Sequence, residues 1–422
     1  MVLTPAYAEE ETPDPEASPE PEASVIPEET PEPEPAYSVN AQSAVLVDMT
    51  SGNVLFEQDK DKQLDPASLT KLMTVYLATE NLSPQKELTM SAEAFETYDH
   101  SFGVLWFEQG ETMTAESVEY AAMIASANDA AAMLAEGVSA NQAEFINRMN
   151  NTASSLGMNH TNYQNPFGIH NAENYSSAHD TALLLRKALQ NEQFRTLFGA
   201  PSYSIPPTNL TGVSRNLVND CALLRKTGYY LETVTGGKIG NTADGGFSLA
   251  ATAKQNGMEL IAVVLGEQNA DLAYKDIASM FEYGFTNFQS VSFSSADIGE
   301  KFVEVYKNKK HVADIHFTVS SDYHVLLPAG LDASTMRAEA VVNNETETNP
   351  DVITADVVFY LDDLMVGTAP MNKEVTLYDT SAAATLGPKA RLYFDYACIG
   401  VLALFILRIF LKMIHRLLAP PA

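Results

Sequence analysis

The sequence predicts an α/β domain in which a helical block is set between the strands of an antiparallel sheet. A small all-β domain and a C-terminal membrane helix follow it. Three observations carry this expectation. Apolar residues recur at helical spacing in several segments between 69 and 189, the period changes to that of strands from Gly236, and short alternating strands fill 291–379. Beyond them Leu392 to Ile414 is mostly apolar, interrupted by Asp395 and Arg408.

The chain has 422 residues, 45% of them apolar, which is enough for two or three domains with a sizeable core. Its net charge of −30 excludes nucleic acid as a partner, because nothing here would neutralise phosphates. Much of that charge is local. Residues 9–36 are almost wholly Glu, Pro, Ala, Ser and Thr, a composition that cannot bury enough surface to fold and reads as a disordered tail. Ahead of it, Ala6-Tyr7-Ala8 resembles a signal-peptidase site, so residues 1–8 read as the remnant of a secretory signal, with a plain polar start as the alternative. Cys221 and Cys398 stand far apart, which implies no disulfide framework.

A hairpin opens the folded part, with apolar runs Ser43 to Met49 and Asn53 to Phe56 joined by Thr50-Ser51-Gly52. Next, Asp65-Pro66 leads into Leu69, Leu72, Met73, Tyr76 and Leu77, which share one helical face. Thr114 caps Ala115 to Ile124, and another helix runs from Ala130 to Glu136. Gln142 to Ser155 and Ala178 to Leu189 complete the block. Phe247 to Ala253 and Leu260 to Leu265 form a hairpin around Asn256-Gly257, placed at the sheet centre, and Ile277 to Phe285 returns to helix. The α/β domain thus spans 37–287 and the β-sandwich 288–379, where Ala355 to Leu361 and Leu364 to Thr368 flank Asp362-Asp363. A linker (380–391), the membrane helix (392–414) and a cytoplasmic tail (415–422) follow. A helix lying on the membrane surface is the alternative for 392–414, since the uncharged stretch from Tyr396 to Leu407 is short for a span.

The chemistry centres on Ser68. It falls in the first turn of its helix, with Lys71 three residues on and above the same face. Unpaired N–H groups at that helix end would stabilise an oxyanion. Lys71 can accept a proton only when neutral, which requires lowering its pKa by about three units; burial beside a second cation would do so. Ser83 and Lys86 repeat the spacing, but Pro84 breaks the helix there. Ser126 and Asn128 sit at a helix junction, where such residues commonly serve as caps.

In combination these signals carry a resemblance. Ser68-Leu69-Thr70-Lys71, Ser126-Ala127-Asn128 and Lys238-Ile239-Gly240 stand in the order of the three motifs of penicillin-binding proteins and class A β-lactamases. Leu64-Asp65-Pro66-Ala67 before the first motif, Asp129-Ala130-Ala131 after the second, Asn165-Pro166-Phe167-Gly168, Tyr175-Ser176-Ser177-Ala178-His179-Asp180 and Thr235-Gly236-Gly237 also match in place. Residues 37–379 thus resemble a low-molecular-weight penicillin-binding protein, a serine-type D-alanyl-D-alanine carboxypeptidase of the peptidase S11 kind. The implied fold is β-lactamase/transpeptidase-like with a trailing β domain.

The resemblance implies Ser68 as nucleophile, Lys71 as its base and Ser126 as proton relay to the leaving amine. It implies Asn128, Lys238, Gly240, Asn241 and Thr242 as substrate-binding, with the oxyanion between the N–H groups of Ser68 and Asn241. No metal or cofactor is implied, and the eight histidines show no ligand spacing. The implied partners are the pentapeptide of peptidoglycan, β-lactams and, through the C-terminal helix, the membrane, with the catalytic domain extracytoplasmic. Ile239 departs from the family, which has Thr or Ser there, and Ala273 falls loosely where the family tends to place an Arg; both would meet the substrate carboxylate. Lys226-Thr227-Gly228 matches the third motif letter for letter but reads as a loop. Two readings follow: an active carboxypeptidase, or a catalytically weak relative that binds wall peptides as a scaffold.

Overall fold

The structure of the protein is a computed structural model describing residues 37–226, 228–319 and 322–378. The expected signal remnant, acidic tail, linker, membrane helix and cytoplasmic tail lie outside the described residues, as do Cys398 and Thr227. The architecture concerns the unit that begins at Val39.

Strands β1 (Ser43–Asp48) and β2 (Val54–Gln58) form the first hairpin. Its turn holds because the Asp48 carboxylate accepts from both the N–H and the hydroxyl of Ser51, while Gly52 takes a φ of +79°. A 3₁₀ turn at Ala67–Leu69 leads into α1 (Thr70–Asn81), so Ser68 lies in the turn that precedes the α-helix rather than in its first turn. A small ribbon, β3 (Glu87–Thr89) with β4 (Thr112–Thr114), and the short α2 (Ala92–Phe95) come between α1 and the rest of the block. There follow α3 (Ala115–Ile124), α4 (Asn128–Val138), α5 (Gln142–Ser155), α6 (Ala178–Ala188) and α7 (Glu192–Gly199). Thr114 caps α3 by accepting from Ser117 N–H, as its position predicts. Helix α4 begins two residues earlier than the periodicity suggests, because Asn128 and Asp129 are themselves helical.

A second ribbon, β5 (Ser202–Ile205) with β6 (Arg215–Val218), precedes the long strands β7 (Val234–Thr242), β8 (Gly246–Gln255) and β9 (Met258–Glu267). The sheet order is β2-β1-β9-β8-β7, antiparallel throughout, so the β8–β9 hairpin is central and β7 is an edge. Pairing of β1 with β9 closes the ends of the domain on each other. Both faces of the central strands are covered, which explains why β9 reads as a continuous apolar run. Val45, Val47, Ile261 and Val263 join the core of the helical block. On the opposite face Leu46 and Leu260 meet α8 (Ala270–Asn287) where Gly284 lets it approach. Asn269 caps α8, extending it well ahead of the expected start at Ile277.

The remaining elements are β10 (Phe288–Phe293), α9 (Ser295–Ile298), β11 (Lys301–Lys307), β12 (Lys310–Thr318), β13 (Tyr323–Pro328), β14 (Met336–Asn343), β15 (Thr354–Leu361), β16 (Leu364–Pro370) and β17 (Asn372–Leu377). They form three small antiparallel sheets: β10-β13, β11-β12-β17 and β14-β15-β16. Alternation supplies a second core, in which Ile315, Phe317, Val357 and Phe359 are buried together. Among the described residues no helix is long and apolar enough to cross a membrane.

Candidate active site

The seam between the helical block and strand β7 contains a cleft of about 670 Å³. Ser68, Ser126, Asn128, Gly240, Asn241 and Thr242 all line it, and Lys71 and Lys238 are buried behind. Every site residue expected from the sequence is therefore gathered at one place.

The nucleophile end is built by the stretch before α1. Leu64 and Ser176 exchange both backbone hydrogen bonds at 2.9 Å, and the Asp65 carboxylate accepts from Ala67 N–H at 2.9 Å. Ala67 takes a φ of +48°, a strained geometry for a residue with a side chain, of the kind that collects at functional sites. It brings Ser68 half-exposed into the cleft. Lys71 Nζ lies 3.4 Å from Ser68 Oγ and donates to the Phe167 carbonyl at 2.6 Å.

The Asn165-Pro166-Phe167-Gly168 loop exists to present that carbonyl. Asn165 Oδ1 accepts from the N–H groups of Phe167, Gly168 and Ile169 at 3.1, 2.7 and 3.2 Å, and Thr74 Oγ1 donates to Pro166 O at 2.7 Å. Gly168 must be glycine: its φ is +78° and a Cβ there would stand 1.8 Å from the Ala67 oxygen. Burial first, and then the charge of Lys238, push the pKa of Lys71 well below that of a free lysine, against the opposing pull of Asp129 and Asp220.

Ser126 lies between α3 and α4 with a φ of +53°. It is not a cap: the residue flanking α4 is Ala127, which makes no side-chain cap bond. Lys238 Nζ instead reaches Ser126 Oγ at 3.3 Å, together with the Met123 and Ala122 carbonyls at 2.7 and 3.2 Å. Those carbonyls end α3, where a cation is favoured by the orphan acceptors and the dipole. Burial lowers the pKa of Lys238 to about 8, with Asp220 resisting the shift. Asn128 Nδ2 donates to Phe102 O at 3.3 Å and its N–H to Gly103 O at 2.6 Å, latching that loop beside the cleft.

On β7, a Cβ on Gly240 would lie 2.6 Å from Ser68 N, so only glycine lets the edge strand approach the nucleophile. An edge strand leaves alternate N–H and C=O groups without a strand partner, available to a substrate backbone. Thr242 turns to the Ser68 side, where its hydroxyl donates to Asp65 Oδ2 at 2.9 Å; its proton is committed there and is not available to a substrate carboxylate. Asp65 also holds His170 Nδ1 at 2.8 Å, which raises the histidine's pKa. Ile239 lines the cleft with Phe247, Ala270, Tyr274 and Asp220. Ala273 does not: it is fully buried, one residue out of phase with the α8 positions facing the cleft.

Sequence reasoning missed Asp65 as a hub, the Phe167 carbonyl and Asp220. Asp65 was legible only as a turn residue, and a backbone oxygen has no signature in side-chain identity. The repeated Ser83–Lys86 spacing serves structure alone, with Lys86 Nζ bonded to Gly137 O at 3.0 Å. Lys226 is exposed and does not line the cleft. Among the described residues no three His, Cys, Asp or Glu side chains are grouped as metal ligands.

Residues 28–269 match the family model described as peptidase S11, D-alanyl-D-alanine carboxypeptidase. The chain is 30% identical over 303 residues to D-alanyl-D-alanine carboxypeptidase DacF of Bacillus subtilis, covering 71% of this chain and 75% of that one. It is 31% identical over 271 residues to DacC of Escherichia coli, covering 61% and 64% respectively. Its fold is similar to the crystal structure of penicillin-binding protein 5 from Haemophilus influenzae, with a TM-score of 0.65 and 24% identity over 81% of this chain and 98% of that chain. With a match over more than half its length and the motif residues assembled in one cleft, the chain belongs to the peptidase S11 family of D-alanyl-D-alanine carboxypeptidases.

Proposed function

We propose that the protein is a serine-type D-Ala-D-Ala carboxypeptidase that trims the pentapeptide of peptidoglycan through an acyl-enzyme on Ser68, and that β-lactams acylate the same serine. One observation carries this reading: two buried lysines each meet a serine of the cleft, Lys71 the hydroxyl of Ser68 and Lys238 that of Ser126. Neutral Lys71 takes the proton of Ser68 as Oγ attacks the carbonyl between the two D-alanines. The oxyanion is received by the N–H groups of Ser68 and Asn241, fixed donors that need no reorganisation. Ser126, polarised by Lys238, passes a proton to the departing nitrogen. Asn128 and the edge of β7 hold the peptide as an added strand. Water then hydrolyses the ester and frees Ser68.

Incubation with a fluorescent penicillin tests the proposal. A single adduct mapped to Ser68, and none in Ser68→Ala, is the expected result; an adduct on another residue overturns it. Ile239 favours a second reading, a catalytically weak relative that holds wall peptides as a scaffold, which a folded protein inert toward both penicillin and peptide would establish. We further propose a single membrane span at 392–414 with the catalytic domain extracytoplasmic, resting on the apolar run of the sequence; protease accessibility in intact cells checks it.

A further inference from the structure

The loop between α2 and β4 has two sides. Phe102 and Gly103 line the catalytic cleft, whereas Val104, Trp106 and Phe107 turn to a second groove of about 640 Å³, within the size range of ligand sites. The helix that begins at Asn128 holds both sides. Asn128 latches Phe102 and Gly103, and the next residue, the buried Asp129, accepts from the N–H groups of Leu105 and Phe107 at 2.8 and 3.1 Å. Between those two donors Trp106 takes a φ of +60°, strained for a bulky residue, and stands 68% exposed. A buried carboxylate thus maintains the strain that holds an indole out toward solvent.

The groove around it is an aromatic wall with a polar rim. His100 packs on Phe95 and Tyr98 with ring centroids 4.4 and 4.5 Å apart, so these rings form a continuous surface and leave no gap for a cation between them. Phe107 is pinned by Arg215, 5.1 Å from its ring centre. Trp106 meets no other ring among the described residues, and its N–H, the Glu108 carboxylate and the Gln109 carboxamide have no hydrogen-bond partner there. Flat ring faces with unpaired donors and acceptors at their margin suit a pyranose: its C–H faces are drawn to the aromatic quadrupole, and its hydroxyl and acetamido groups meet the rim. A lipid surface fits less well, since acyl chains offer nothing to the carboxylate and the carboxamide.

We propose that this groove is a carbohydrate subsite, taking an N-acetylated hexosamine of the glycan strand that bears the stem peptide. The inference rests on the carboxypeptidase reading above and adds which form of the substrate is used. In a stem peptide the scissile bond lies about four residues from the sugar, roughly 13 Å of extended chain, so the carbohydrate must sit just outside the cleft. The groove meets that requirement because a single loop, 102–107, walls both cavities. One sugar face stacks on Trp106, Glu108 and Gln109 engage its hydroxyl and acetamido groups, and the peptide passes Phe102 to reach Ser68. Peptides still attached to glycan are thereby preferred over released ones.

Trp106 is the only tryptophan of the chain, so its intrinsic emission reports on the groove directly. Titrating full-length Ser68→Ala with a soluble oligomer of N-acetylglucosamine should shift or quench that emission saturably, and the sugar-free pentapeptide should not. With Ser68 in place, kcat/KM for a disaccharide-linked pentapeptide should exceed that for the same pentapeptide without sugar by about tenfold or more. Trp106→Ala should cut this ratio by about tenfold, and Trp106→Phe, which keeps a ring face, should retain most of it; taking the ratio cancels any shared effect on Ser68 or Lys71. No emission change with the oligomer, a ratio near one, or a ratio unmoved in Trp106→Ala overturns the inference, as does an emission change with phospholipid vesicles and none with the oligomer. The titration needs no acyl transfer. Its failure beside normal penicillin labelling therefore removes the subsite alone, whereas saturable oligomer binding by a protein that penicillin and peptide leave unacylated keeps the subsite and removes the carboxypeptidase reading.

Discussion

Lys71 and Lys238 share one buried site and need opposite protonation states. Lys71 works as a base only when neutral, and burial with a neighbouring cation lowers its pKa well below the ordinary value. Lys238 works as a cation, and its pKa of about 8 sets where that charge is lost. A lysine gives up its proton as pH rises, so kcat/KM for acylation should climb through the lowered pKa of Lys71 and fall above about pH 8. Asp220→Asn, by removing the charge that resists the shift, should move the descending limb to lower pH; a stopped-flow profile from pH 5 to 10 checks both limbs. Ile239 is the second residue with a measurable consequence. A hydrogen bond to a charged group contributes about 1.5 to 3 kcal/mol, so Ile239→Thr should raise hydrolysis of a peptide ending in D-Ala-D-Ala by roughly 10- to 200-fold. An analogue lacking the terminal carboxylate should change much less, and equal gains on both would assign the effect to packing.

At the scale of elements, the two Lys-x-Gly triplets show what a motif needs. Lys238 lies on an edge strand whose neighbour Gly240 touches the nucleophile, while Lys226 sits exposed after a 3₁₀ turn. Lys226→Ala should leave penicillin acylation nearly unchanged and Lys238→Ala should slow it by orders of magnitude, as labelling time courses would show. The elements bearing the three motifs were legible because their periodicity is strong and the triplets stand at fixed offsets from them: Thr114 capping α3, Gly257 closing the β8–β9 hairpin. Strand alternation also separated Thr242 from Ile239, and it is Thr242 that meets Asp65. The rest was not legible for physical reasons. The β5 and β6 strands have four residues each and α7 has eight, too few for a period to emerge. Asp220 lies in the irregular stretch after β6, where only tertiary contact decides which way a side chain points. That Ala273 is turned away from the cleft was not legible either, because the phase of α8, which presents Ala270 and Tyr274 there, is set by its packing.

For the whole molecule, the sheet is closed by a junction between α8 and the segment entering β1. Asp276 on α8 accepts from the N–H groups of Asn40 and Ala41, fixing the segment that enters β1. Beside it Glu267, 1% exposed, has a pKa raised to about 8 by burial and by Asp276. A carboxyl whose folded pKa exceeds its unfolded value binds more protons when folded, so its contribution falls as pH rises from about 4.5 toward 8. Keeping it protonated at pH 7 costs about 3 to 4 kcal/mol. Glu267→Gln should therefore stabilise the protein at pH 7 to 8 by about 1 to 3 kcal/mol and flatten the pH dependence of its Tm, with acylation unaffected; unchanged calorimetric scans would refute the assignment.

The position of the cleft at a seam has a further consequence. Ser68 and Asn128 belong to the helical block, whereas Gly240 and Asn241 belong to the sheet, and no single element holds the site together. A penicilloyl group on Ser68 that engages both sides braces them like a cross-tie, and because only the native state offers both, its contacts add to native stability alone. Acylated protein should melt several degrees higher than free protein, while Ser68→Ala shows no drug-dependent shift. Inhibition and preservation would then be one event: the antibiotic that stops the enzyme also lengthens the lifetime of its fold.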